Sequence, residues 1–137
     1  MNTLVRLKVG SDINQSTLLS QVPSGFNPVE SEAIQILHDN HHWVTSACIN
    51  NEVLLADSLG SRTISVYVIV KLKQLYARLV DEHNRLAVSI VASPRQGNGS
   101  DCGVHAAATA FEWSLGYQNL PQHWDVGRMR QHLVSCL

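Results

Sequence analysis

The residues with the clearest potential for chemistry lie in one glycine-rich run, QGNGSDCGV, which extends from Gln96 to Val104. Hydrophobic spacing predicts that a helix begins at about Asp101 or Cys102, directly after these glycines. The first N–H groups of a helix have no acceptor within it, and the helix dipole places partial positive charge there. A thiolate at Cys102 would be stabilised and nucleophilic. The competing interpretation is a structural cysteine, because free cysteine is among the most buried residue types.

A nucleophilic thiol that attacks a carbonyl also needs donors for the oxyanion that forms. The exposed amides of the same helix start can supply them. Gly103 leaves the sulfur accessible and allows an extended substrate backbone to pass close by. Gln96, six residues before Cys102, carries a side-chain NH₂ that we expect to act as a second donor.

A base and a group that orients it are expected on a hairpin earlier in the chain. Alternating apolar residues predict a strand from Trp43 to Ile49, Asn50-Asn51 is a two-residue turn, and residues 52–56 form the returning strand. His42 and Asp57 then lie at the same far end of the two-stranded ladder. Asp57 can therefore hold one nitrogen of the His42 ring while the other nitrogen faces Cys102.

The remaining patterns predict an α+β or mixed α/β domain with one small sheet. The stripe Val68, Leu72, Leu75 and Leu79 predicts a helix from about Ser65 to near Asn84. A short helix capped by Asp12 and ending at Leu19 is predicted, together with strands over Ala33–Leu37 and Leu86–Ala92, the latter buried. The helix that begins at Cys102 is predicted to end at Gly116 and to face inward with Val104, Ala108, Phe111 and Leu115. A last helix begins at Asp125 and is predicted to face inward with Val126, Met129, Leu133 and Leu137.

Composition excludes several classes of function. The chain of 137 residues has a formal net charge of −1. It therefore lacks the excess positive charge that binding to nucleic acid or to an anionic membrane surface requires. Three widely spaced cysteines fit a reducing intracellular compartment better than a disulfide framework. No signal peptide or membrane-spanning run is expected. His38, Asp39, His41 and His42 raise the alternative of a zinc site, but no metal-binding spacing supports it and we expect no metal and no cofactor.

Together these motifs resemble one known family. His42-Trp43, then Asp57-Ser58-Leu59, then Gln96-x-Asn-Gly-x-Asp-Cys-Gly-Val resembles the papain-like cysteine proteases that process SUMO and related ubiquitin-like proteins, to which the adenovirus protease is more distantly similar. The resemblance implies a small mixed sheet packed against the nucleophile helix. The roles it implies are Cys102 as nucleophile, His42 as general base and then acid, Asp57 as its orienter, Gln96 as oxyanion donor, Trp43 as the wall of a tunnel for a Gly-Gly tail, and Asn98, Gly99 and Gly103 as further substrate-binding residues.

The resemblance extends over residues 30–116 and departs from the family at the flanks. We expect one catalytic domain over residues 1–137, with a reduced N-terminal segment at 1–30, a core at 31–116 and a helical segment at 117–137. The expected partner is a ubiquitin-like protein or its conjugate. Two alternatives stay open: a binding module with little turnover, and an acyltransferase that passes an acyl group from the same cysteine to an amine or hydroxyl. His105, where relatives carry an aromatic or aliphatic residue, is expected to be a core or surface histidine.

Overall fold

The computed structural model describes residues 15, 25–39, 41–97, 101–117, 119–121 and 124–135, and the predicted helix between Asp12 and Leu19 falls outside them. The described residues form four strands and three α-helices, together with one 3₁₀ turn. In chain order they are β1 (Ala33–Asp39), β2 (His42–Ile49), β3 (Glu52–Ala56), α1 (Val66–Leu75), the 3₁₀ turn (Ala77–Leu79), β4 (Val88–Ile90), α2 (Cys102–Ser114) and α3 (Val126–Ser135).

The strands form one mixed sheet in the order β1-β2-β3-β4. The first three strands are antiparallel, and β4 pairs parallel to β3 after the crossover through α1. Asn50 and Asn51 both adopt positive φ, 52° and 60°, which is the backbone that a two-residue hairpin turn with the natural strand twist requires. The predicted β2–β3 hairpin is confirmed.

Alternating side chains give the sheet two buried faces, each covered by one helix. Val68, Leu72 and Leu75 of α1 pack on the face that carries Leu37, Val44, Cys48, Val53 and Leu55. Ala106, Ala110 and Trp113 of α2 pack on the opposite face, against Ile34, Ile36, Ala47, Leu54 and Ala56. The predicted α+β fold, with the Cys102 helix on a small mixed sheet, is confirmed.

Helix α1 is shorter than predicted, because it ends at Leu75 rather than near Asn84. Tyr76 leaves helical geometry with φ −108° and ψ 38°. Its ring is fully buried, and its hydroxyl lies 2.8 Å from Ser46 Oγ on β2. Anchoring this tyrosine in the sheet ends the helix, while Asn84, at φ 59°, belongs to a later turn.

The predicted buried strand over Leu86–Ala92 is also wrong in part. Only Val88–Ile90 pairs in the sheet, and both Ser89 and Ile90 are exposed. Among the described strands, β4 lies at one edge of the sheet and has a neighbouring strand on one side only. Its apolar run predicted burial on both faces, which an edge position does not provide.

Helix α2 begins where predicted, but of its four predicted inward residues only Ala108 is fully buried. Leu115 is exposed, and Val104 and Phe111 are only partly buried. The alanines face the sheet instead, because small side chains allow the helix backbone to approach the strands closely. Gly116 ends the helix at φ +90°, and its N–H donates to the Trp113 carbonyl at 3.0 Å, so the predicted stop is confirmed.

Helix α3 begins after Asp125, whose Oδ1 accepts a bond from the Arg128 N–H at 3.1 Å. Two residues predicted to face inward cannot be compared with the structure, because Leu137 and the side chain of Leu133 lie outside what it describes. Across the described ranges, no helix is long and apolar enough to cross a membrane.

Candidate active site

The β2–β3 hairpin brings His42 and Asp57 into contact. Its register pairs Thr45 with Ala56, and continuing it by one residue sets Asp57 opposite Val44. His42 is then the diagonal neighbour of Asp57 on the same face, within reach of a long side chain. His42 Nε2 lies 2.5 Å from Asp57 Oδ1, with 15% and 16% of the two side chains exposed. The two residues form a close, largely desolvated pair.

The carboxylate of Asp57 is held by the turn that follows it. Its Oδ1 also accepts the Leu59 N–H at 2.9 Å, and its carbonyl accepts the Gly60 N–H at 2.9 Å. An ionised carboxylate can only accept hydrogen bonds, so the hydrogen between the side chains belongs to His42 Nε2. Nδ1 is then the basic nitrogen of the ring, the one able to take a proton from a nucleophile.

Cys102 is the first residue of α2, with 6% of its surface exposed. Asp101 stands at the N-cap position, yet its side chain makes no capping bond to the helix amides. Its carboxylate instead forms an ion pair with Arg130 of α3. The guanidinium therefore offsets the negative charge of Asp101 at the start of α2.

One buried hydrogen bond joins α2, which begins at Cys102, to β2, which begins at His42. Thr45 Oγ1 donates to the Ala106 carbonyl at 2.8 Å. Ala106 lies one helical turn after Cys102, and Thr45 lies three residues after His42 on β2. The bond thus sets the position of the α2 start relative to the start of β2.

Gln96 is joined to the turn that follows Asp57. Its backbone N–H donates to the Ser58 carbonyl at 2.9 Å, and its side-chain Oε1 accepts a hydrogen bond from the Ser58 hydroxyl. Ser58 is buried, with 5% exposed. Gln96, the predicted oxyanion donor, is therefore hydrogen-bonded to the turn that follows Asp57, the residue predicted to orient the base.

SUMO proteases are among the solved structures that share this architecture. The crystal structure of a de-sumoylating protease is 15% identical, with a TM-score of 0.62, and the match covers 83% of this chain and 60% of that one. SUMO protease Ulp1 with its catalytic cysteine oxidised to a sulfinic acid is 14% identical, with a TM-score of 0.63 over 100% of this chain and 75% of that one. The C-terminal Ulp1 domain in complex with Smt3, the yeast orthologue of SUMO, is 13% identical, with a TM-score of 0.57, and the match covers 96% of this chain and 72% of that one.

The chain has the fold of the SUMO proteases. No family model matches the sequence, and no curated protein matches it. The chain spans 60% of the length of the first of these structures.

Within this SUMO-protease fold, Trp43 directly follows His42 on β2. It is partly buried beside the α2 cluster, and its ring packs on His38 of β1 with 4.6 Å between centroids. Gly103 is partly buried in the first turn of α2. Asn98 and Gly99, also predicted to bind substrate, fall outside the described residues.

Three residues that contact the site did not emerge from the sequence as functional candidates. Ser58 stands in the Asp-Ser-Leu motif, which pointed to the family without assigning the hydroxyl a partner. Thr45 and Arg130 carried no local signal, since their partners are 61 and 29 residues away in sequence. Only the tertiary structure brings these pairs together.

His105 of α2 is a buried histidine, with 4% exposed. Neither ring nitrogen has a hydrogen-bond partner in the part of the chain that the structure describes. Burial lowers the pKa of His105 and outweighs the opposing effects of the Asp101 carboxylate and the Pro94 backbone. Its ring packs on Trp124 at 5.5 Å, so His105 is a neutral core residue.

The histidines around Asp39 do not form a metal site in the described residues. Across the described ranges, no three His, Cys, Asp or Glu side chains are grouped as a metal ion would need. His38 instead contacts Trp43, and Asp39 accepts a bond from Ser65 Oγ at 3.1 Å. His42 is engaged by Asp57, and the His41 ring meets the His38 ring edge-on with 6.5 Å between centroids.

Proposed function

We propose that this protein is a cysteine peptidase or isopeptidase that cleaves after the C-terminal Gly-Gly tail of a ubiquitin-like protein. The observation that carries the proposal is the His42–Asp57 contact at 2.5 Å in a fold that sets Cys102 at a helix start. Cys102 is the nucleophile, His42 the general base and Asp57 its orienter. Gln96 and the first amides of α2 stabilise the oxyanion.

In the acylation step, His42 Nδ1 takes the proton of the Cys102 thiol. The sulfur then bonds to the carbonyl carbon of the terminal glycine, and the carbonyl π electrons move onto oxygen. Asp57 stabilises the imidazolium through Nε2. When the oxyanion collapses, the carbon–nitrogen bond breaks and His42 returns the proton to the leaving amine, which leaves a thioester on Cys102.

In the deacylation step, a water molecule takes the place of the amine. His42 removes one of its protons as the water oxygen bonds to the thioester carbonyl carbon. Collapse of this second tetrahedral species breaks the carbon–sulfur bond. The free Gly-Gly carboxylate leaves, and the proton on His42 returns to the Cys102 sulfur.

A ubiquitin-like partner is supported by the matched Ulp1 domain, which was solved in complex with Smt3. We propose that Trp43, Gly103, Asn98 and Gly99 line the channel for the tail. The narrowness of such a channel would select glycine, because a side chain could not pass between an indole wall and the helix start. On the Asn-Gly-x-Asp-Cys-Gly motif we also propose a more distant relationship to the adenovirus protease.

The test is covalent labelling with SUMO and ubiquitin that carry an electrophile in place of the terminal carboxylate, read by intact mass. We expect one adduct on the wild-type protein and none on Cys102→Ala. Cys48→Ala is the matched control, since Cys48 is a second free, buried cysteine, on the other face of the sheet. Burial raises the pKa of the Cys48 thiol despite the nearby Arg78, so this variant should label like wild type.

Failure of every such probe, while iodoacetamide still modifies Cys102, would overturn the protease proposal and favour a binding module. Autoacylation of Cys102 by acetyl-CoA without hydrolysis of a Gly-Gly substrate would favour an acyltransferase instead. Both outcomes are read from the same mass spectra.

Gln96→Ala tests the oxyanion donor separately from the nucleophile. We expect turnover to fall by roughly ten- to a thousandfold, the range for removing one such donor, with little change in binding. An unchanged kcat would remove Gln96 from the mechanism while leaving Cys102 and His42 in place.

A further inference from the structure

The hydroxyl of Ser58 is hydrogen-bonded to Gln96, the residue proposed to stabilise the oxyanion. Ser58 directly follows Asp57, and it is buried with 5% exposed. Its hydroxyl donates to Gln96 Oε1, and its carbonyl accepts the Gln96 backbone N–H at 2.9 Å. Two hydrogen bonds from one residue therefore hold both the backbone and the side chain of Gln96.

The side-chain bond matters because the two ends of an amide are chemically opposite. The oxygen can only accept a hydrogen bond, and the NH₂ group can only donate. An oxyanion is stabilised by the NH₂ end and repelled by the oxygen. A bond that occupies the oxygen turns the NH₂ end away from Ser58.

We propose that Ser58 is a positioning residue for Gln96, which sets the amide so that its NH₂ group faces the reacting carbonyl. This inference rests on the proposed function, because it assigns Ser58 a role through the oxyanion donor. Ser58 touches neither substrate nor nucleophile in this scheme. Its effect is to hold one orientation of the amide before the substrate arrives, so that no reorganisation is needed as charge develops.

The surrounding packing keeps this arrangement rigid. Gly60, at φ +70°, closes the turn, and the Arg95 guanidinium packs directly against it. A Cβ on Gly60 would lie 2.6 Å from Arg95 Nε. The residue before Gln96 therefore rests on the turn that contains Ser58, so the loop and the turn hold each other in place.

The test is the kinetic comparison of Ser58→Ala with Gln96→Ala and with the double variant on a Gly-Gly amide substrate. We expect Ser58→Ala to lower kcat by about ten- to a hundredfold, with KM within about twofold, because the loss concerns the transition state. In the double variant we expect the kcat of Gln96→Ala alone, because Ser58 acts only through the amide.

Ser93→Ala is the matched control. Its hydroxyl also bonds the same turn, at 3.3 Å from the Asp57 carbonyl. We expect its kcat to stay within about twofold of wild type. A kcat for Ser58→Ala within twofold of wild type, or a double variant whose losses multiply, would overturn the inference.

A second readout separates this inference from the proposed function. ¹⁵N relaxation of the Gln96 side-chain amide, assigned by its disappearance in Gln96→Ala, reports the order of that group without any turnover. We expect an ordered amide in wild type and Ser93→Ala, and a mobile one in Ser58→Ala. If wild type fails to cleave or label, the proposed function is wrong and the relaxation data alone decide the hydrogen bond. An equally ordered amide in Ser58→Ala would refute it.

Discussion

The replacement Asp57→Asn removes a charge while keeping the shape of the residue that orients His42. Asp57 Oδ1 accepts two hydrogens, from His42 Nε2 at 2.5 Å and from the Leu59 N–H at 2.9 Å. An asparagine has one oxygen to offer both donors, and its NH₂ group would clash electrostatically with the Leu59 N–H. The turn should therefore force the amide oxygen into the place of Oδ1, so that His42 keeps its hydrogen on Nε2.

The expected magnitude follows from the kind of bond that is lost. A hydrogen bond to a charged group contributes about 1.5–3 kcal/mol, and one between neutral groups about 0.5–1.5 kcal/mol. With geometry and tautomer retained, Asp57→Asn loses about 1–1.5 kcal/mol, which is about a tenfold drop in kcat/KM. Asp57→Ala loses the whole charged bond and leaves the Leu59 N–H without this acceptor, so we expect a drop of about a hundredfold or more.

The assay is kcat/KM on a fluorogenic Gly-Gly amide, combined with ¹⁵N NMR of the His42 ring to report which nitrogen carries the hydrogen. Asp39→Asn is the control, because Asp39 lies directly opposite His42 on β1 but bonds Ser65. It should change kcat/KM by no more than about threefold, as expected for a group outside the site. An Asp57→Asn variant as slow as Asp57→Ala, or with its ring hydrogen on Nδ1, would refute the reasoning.

Two further predictions concern stability. Gly60→Ala and Gly116→Ala should each lower the free energy of unfolding by the roughly 1–2 kcal/mol of a positive φ. The Cβ on Gly60 meets only the Arg95 guanidinium, the far end of a flexible side chain that can move away, so a much larger loss for Gly60→Ala in urea melts would contradict this. Burial lowers the pKa of His105, so the unfolded chain takes up the proton first as pH falls below about 6.5, and stability is lost there. His105→Phe should flatten the dependence between pH 7 and pH 5, and an unchanged slope would contradict it.

The parts of the fold that the sequence predicts are those set by local signals. The hairpin follows from Asn50-Asn51, a pair that tolerates positive φ, and from the alternation on either side. Once that turn is placed, the contact between His42 and Asp57 is a matter of counting residues along two strands. The start of α2 at Cys102 likewise follows from the glycine-rich run and the apolar spacing after it.

The parts that the sequence does not predict depend on distant partners. α1 ends at Leu75 because the ring of the next residue, Tyr76, is anchored on β2. Its partner there, Ser46, lies 30 residues away in sequence. Large apolar residues such as Leu115 suggested the inward face of α2, but the sheet selects its alanines because they permit close approach. For His105 the sequence left both a core and a surface position open, and the structure buries it.

The proposed catalytic set is therefore assembled from two locally specified pieces joined by long-range hydrogen bonds. The hairpin carries the His42–Asp57 pair, and the run from Gln96 into α2 carries the proposed oxyanion donor and the proposed nucleophile. Thr45 joins the pieces through the Ala106 carbonyl, and Ser58 joins them through Gln96. Each piece keeps its own internal geometry if one of these bonds is lost, so a variant at either junction should impair catalysis before it unfolds the domain. Sequence motifs identify the pieces, and the hydroxyls of Thr45 and Ser58 determine how they meet.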